Sequence, residues 1–238
     1  MRQKSGRNDR LYKEQTMSKF KFPLLLAILT TFSMPALAGE AVVKRVPAGA
    51  VAFHFAGDLA YGNPSELVGY MAFIEGVDGP LFAGEPSKDT AYFTLRVTSE
   101  MPWPIKMPIE PDPELSVSLL PPGMQFTVFF NPSPGPREWN DPDTFSEGVP
   151  IAVFEESALL SNSGSFASAN AFSSRLIDST PIDFNGQRID FKKMMPDGVT
   201  TTNFGNGAHF REYNNTFGSS FGATAIAIGG KLRGGSDD

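Results

Sequence analysis

Apolar side chains recur at every second residue along most of this chain, in short runs that stop at glycine or proline. Val51, Phe53 and Phe55 alternate with Ala52, His54 and Ala56, and Ala91, Phe93, Leu95 and Val97 alternate with Tyr92, Thr94, Arg96 and Thr98. A period of two sends successive side chains to opposite faces, so each run reads as a strand with one buried face. The 23 glycines and 20 prolines punctuate these runs and leave no room for alternating long helices. That pattern excludes a βαβ fold and predicts an all-β domain.

Local turn chemistry adds detail. Asn185-Gly186 between Ile182-Asp183-Phe184 and Gln187-Arg188-Ile189 supplies the two positive-φ residues of a type I′ hairpin turn. Runs on either side of Pro121-Pro122-Gly123 predict a second hairpin over Leu115–Phe130, and Ser161-Asn162-Ser163-Gly164 joins a third pair, Ile151–Leu160 with Phe166–Ile177. Asn63-Pro64-Ser65-Glu66 has the form of a helix start, but the aromatic and β-branched run after it favours a strand. Five prolines from Pro102 to Pro113 predict an extended crossover without regular pairing. A final strand is expected over Ala223–Ile228. The expected architecture is an antiparallel β-sandwich, jelly-roll-like, with a partly closed β-barrel as the alternative.

The N-terminal part belongs to export rather than to the fold. From Met17, two lysines precede an apolar run that ends in Ala36-Leu37-Ala38, which predicts a signal peptide over 17–38 cleaved before Gly39. Residues 1–16 are a polar leader or follow a misassigned start. Residues 39–238 are then a single exported β domain, secreted or periplasmic, with no transmembrane segment after cleavage. The chain has no cysteine, so its stability rests on packing, and thiolate chemistry and thiolate metal sites are excluded. Removing residues 1–38 takes seven basic and two acidic residues and leaves a formal charge of −11. Such a domain repels phosphate backbones, which argues against a nucleic-acid partner.

Four groups of residues invite a chemical reading. Gly218-Ser219-Ser220-Phe221-Gly222 matches G-x-S-x-G, but no histidine follows it and the segment after Ser220 is strand-like, so the hydrolase order is impossible. An upstream His54 or His209 is the only available base for Ser220. His54 and Asp58 share one face of a predicted strand. His209, Arg211 and Tyr213 share a face that offers directional donors to an anionic or planar ligand. In the loop Pro136–Gly148, Trp139 offers a stacking surface for a sugar, and Asn140, Asp141, Asp143 and Glu147 are oxygen donors of the kind calcium takes. No other cofactor is indicated and no catalytic set is assigned.

The reading that follows is an exported, non-catalytic β domain that binds an unknown protein or glycan through surface loops. Two alternatives stand beside it. One is a hydrolase using Ser220, the other a carrier of a small apolar ligand inside a barrel lined by the chain's 21 phenylalanines.

Overall fold

A computed structural model describes residues 41–60, 65–99, 105–109, 112–120, 122–163, 167–211 and 216–229. By its contacts the chain divides into Met1–Leu37 and Ala38–Asp238, and all that follows concerns the second unit. The described strands are β1 (Ala41–Val42), β2 (Val51–Ala60), β3 (Ser65–Ile74), β4 (Phe93–Ser99), β5 (Ile105–Ile109), β6 (Asp112–Leu120), β7 (Gln125–Phe130), β8 (Val149–Ser163), β9 (Ala167–Ser179), β10 (Ile182–Phe184), β11 (Gln187–Ile189), β12 (Val199–Arg211) and β13 (Thr216–Ala227). A one-turn helix, α1 (Phe191–Met194), lies between β11 and β12.

The domain is all-β, and its large sheet is antiparallel and closed. Strand order β7-β4-β3-β2-β13-β12-β9 is completed by β8, which pairs with β7 on one side and β9 on the other. These eight strands make one barrel, so the barrel alternative describes the architecture and the sandwich does not. Closure comes from the last strand returning to the first, with Thr224 opposite His54 and Ser220 opposite Asp58. Sequence periodicity gives each strand's faces but not this long-range pairing.

Two local expectations change. The Pro-Pro-Gly segment is not a hairpin turn, because β6 and β7 both lie along β8 as successive parts of one line. Gly123, with φ 109°, donates its amide to Glu156, and Glu156 donates to Met124, so the chain bends and stays beside β8. Likewise the proline-rich run does pair: β5 lies within it and joins β6 with Met107 opposite Val117 and Pro108 opposite Ser116. Proline is accepted there because β5 is the sheet's edge, where an amide lost on the outer side costs no ladder bond. Elsewhere the strand reading of Ser65–Ile74 holds, and so do the β8–β9 pair and the Asn185-Gly186 hairpin, with φ 50° and 75° at its turn.

One end of the barrel is plugged. β10, β11 and β1 form a small sheet, and Phe184 from β10 packs edge-on against Phe93 and Phe130 at centroid distances of 5.1 and 5.7 Å. Phe191, Met194 and Met195 are buried beside it, and Asp190 caps α1 by accepting from the Lys192 amide at 3.0 Å. Across the barrel, β2 and β8 are four strands apart in a ring of eight, yet Phe53 and Phe154 meet at 6.1 Å. Phe53, Phe93, Phe130, Phe154 and Phe184 therefore fill the plugged end.

Candidate functional site

Above that aromatic fill the inner wall changes character. Phe154 on β8 is followed two residues later, on the same inward face, by Glu156. Glu156 stands opposite Ser174 on β9, and Ser174 stands opposite Val199 on β12, one inward step from Thr201. All three polar side chains are buried, with exposures of 4% for Glu156 and 0% for Ser174 and Thr201. Glu156 Oε2, Ser174 Oγ and Thr201 Oγ1 have no hydrogen-bond partner. Buried polar atoms are nearly always paired, because an unmade bond forfeits about 1–3 kcal/mol. Three on adjoining strands, facing one interior, are therefore a candidate binding site.

Burial pushes the Glu156 carboxyl up to about 8, so it is mostly a neutral acid at pH 7, both donor and acceptor. Its flanking charges do not reach inward: Glu155 and Arg175 pair with each other at 2.7 Å on the outer face. Farther along β12 and β13 the buried residues are mixed: Asn203 and Ser219 are buried, and so is Phe221, which packs edge-on against Phe55 at 5.8 Å. There the Asn170 amide donates to the Asn203 side-chain oxygen. On the aromatic side, Phe126 stacks on Phe154 at 4.6 Å, and Phe172 stands opposite Thr201.

The residues singled out from sequence lie elsewhere. Ser220 sits within β13, not at a turn, and its hydroxyl donates to the buried Asp58 carboxylate at 3.2 Å on the barrel's outer face. His54 is on the same face but bonds Thr224 Oγ1 at 3.0 Å. Thr224 is four residues from Ser220, about 13 Å along a strand, so Ser220 and His54 are not brought together. His209 and Arg211 lie at the far end of β12, where His209 stands opposite Gly218; Tyr213 lies outside the described residues.

The loop Pro136–Gly148 wraps over β3 and β4. Trp139 stacks on buried Phe145 at 5.0 Å, and Asp141 and Thr144 fold into a 3₁₀ turn in which Thr144 Oγ1 donates to the Asp141 carbonyl. Asp143 accepts from Arg96 at 2.5 Å, and Arg96 also grips Glu66 with Nε and Nη2 at 3.2 and 3.1 Å. Asn140 and Glu147 are exposed. Among the described residues, no three His, Asp or Glu side chains come close enough to hold a metal ion together. Beneath the loop, Arg137 is fully buried and donates to the carbonyls of Lys88 and Ala91. Desolvation lowers its pKa, with Glu147 and Asp89 acting in the opposite sense.

Glu156, Ser174, Thr201 and Arg137 escaped the motif search because none belongs to a motif. The usable signal was phase: Glu156 shares the alternating face of Ala152 and Phe154, where a carboxylate is out of place. No protein-family model, curated protein or solved structure gives a significant match to this chain.

Proposed function

We propose that this chain is an exported binding protein that takes a small molecule into its barrel, on the wall formed by Glu156, Ser174 and Thr201. The observation that carries this reading is the set of three unpartnered buried oxygens on adjoining strands, beside the buried Phe126, Phe154 and Phe172. A mostly apolar enclosure with a few convergent polar groups and a shifted carboxyl is the usual make-up of a small-molecule site. An eight-stranded barrel has room for one small ligand at most. The carrier alternative is thus retained in a narrower form, with a polar anchor above the filled half.

Export rests on the layout of residues 17–38 and is part of the proposal. Recognition of a partner or of calcium by the Pro136–Gly148 loop has weaker support, since Trp139 and Asp143 already bind within the domain. Catalysis by Ser220 has weaker support again, because its hydroxyl is engaged by Asp58 and His54 is engaged by Thr224.

The test is saturable binding of the neutral fluorophore N-phenyl-1-naphthylamine to residues 39–238. One site per chain is expected, weakened at least fivefold by Thr201→Phe in a variant whose circular dichroism is unchanged. Signal that fails to saturate, or that Thr201→Phe leaves untouched, would remove the interior site.

A further inference from the structure

We propose that the interior site takes a primary ammonium group carried on an apolar body. The inference rests on the interior site argued above and concerns the head group of its ligand. Glu156 Oε2, Ser174 Oγ and Thr201 Oγ1 are three unpartnered oxygens on adjoining strands. An ammonium carries three N–H donors and no acceptor, so it satisfies all three at once. A hydroxyl head brings a single donor and leaves two of these oxygens unmet unless they donate to it.

Charge points the same way. Arg96 and Arg175 are held by carboxylates on the outer surface, His54 is bonded to Thr224 there, and the buried Arg137 donates to the Lys88 and Ala91 carbonyls beneath the Pro136–Gly148 loop. An anionic head would enter without a counter-ion, which a buried charge does not tolerate. A cationic head meets Glu156. The apolar body then lies against Phe126, Phe154 and Phe172, whose ring faces favour a nearby cation as well.

The proton balance is simple. Glu156 is mostly protonated near neutrality because of its burial, and an arriving ammonium stabilises the carboxylate form. Binding therefore expels the carboxyl proton to solvent while the ammonium keeps its own three. The strands paired with β8 beside Glu156 present Phe126 from β7 and Ser174 from β9, and Thr201 lies one strand further round on β12. On the described parts of these elements the nearest charged groups, Glu155 and Arg175, face outward.

Three ligands with one eight-carbon chain separate the possibilities: n-octylammonium, 1-octanol and octanoate, titrated calorimetrically into residues 39–238 at pH 7. Octylammonium is expected to bind at least tenfold more tightly than octanol, with up to one proton released per site and no measurable octanoate binding. Glu156→Gln, isosteric and uncharged, is expected to erase the ammonium's tenfold advantage over octanol and its proton release. If Glu156→Gln does not fold, Thr201→Val carries the same comparison, with a severalfold larger loss for octylammonium than for octanol. Octanol or octanoate binding as tightly as octylammonium would overturn the head-group proposal and leave the interior site standing. So would an ammonium preference that survives Glu156→Gln. If neither these ligands nor N-phenyl-1-naphthylamine binds, the interior site itself is wrong and the proposal falls with it.

Discussion

Glu156 couples the stability of the free protein to pH. Its carboxyl has an ordinary value near 4.5 in the unfolded chain and is pushed up to about 8 in the barrel by burial. The folded state therefore holds more protons between these values, and stability must fall as pH rises across them. Full stability from this group is present below about pH 4.5 and is lost as pH passes 8. At about 1.4 kcal/mol for each pH unit between the two values, the loss is roughly 3–5 kcal/mol. Urea midpoints of wild type and Glu156→Gln between pH 5 and 8.5 check this. The wild type should lose stability along the series, while the variant loses much less; parallel curves would mean that Glu156 is not desolvated. Arg137 makes a different prediction. Truncation to Ala leaves the Lys88 and Ala91 carbonyls without their donor and opens a cavity under the loop. A cost of roughly 3 kcal/mol is expected, and a melting temperature within a degree or two of wild type would contradict it.

At the scale of the element, the strands were legible because alternation is local, and the partners of several were not. Residues 65–74 announced a strand through Val68, Tyr70 and Ala72 despite the helix-like Asn63-Pro64 entry. Their barrel curvature was hidden in glycines. Gly57 and Gly69 stand opposite each other on β2 and β3, and a Cβ added at Gly57 would lie 2.1 Å from the Val68 carbonyl oxygen and 2.8 Å from the Phe221 ring. The close backbone approach and the ring laid over it require a missing side chain. Gly57→Val is thus expected to destabilise the domain by more than about 3 kcal/mol, enough to lower soluble yield sharply. Gly186→Val, whose Cβ meets nothing within 4 Å but whose φ of 75° disfavours a β-branched residue, should cost about 1–3 kcal/mol. Equal melting points for these two variants would contradict the packing argument. The proposed binding wall was hidden for a related reason. Glu155-Glu156 reads as a polar pair, and only the phase set by Phe154 separates the outward member from the inward one.

For the whole molecule the decisive contact is the seam between β2 and β13, the first and last staves of the barrel. β13 is paired along its length, with Ala225 opposite both Phe53 on β2 and Thr201 on β12. A strand with neighbours on both sides uses every amide in one ladder or the other, whereas β5, at the sheet's edge, uses only part of its set. Nothing can peel from the closed ring without breaking two ladders. Amides of β2, β12 and β13 should therefore exchange with deuterium in the slowest class, opening only with global unfolding. Amides of β5 should exchange faster by local fraying. A proline at Thr224 deletes one amide from the two ladders that hold β13 in the ring and clashes with its neighbours, a change worth about 3 kcal/mol or more. In a closed barrel that loss is expected to appear in the global transition, as a single cooperative melt shifted down by the same amount for every strand. Were the seam weak, Thr224→Pro would instead speed exchange in β13 alone and leave β7, β8 and β9 protected. Mass-resolved exchange on the wild type and this variant separates the two outcomes. The same experiment bears on the proposed binding wall, because Ser174 and Thr201 keep their inward register only while β9 and β12 stay clamped between β8 and β13.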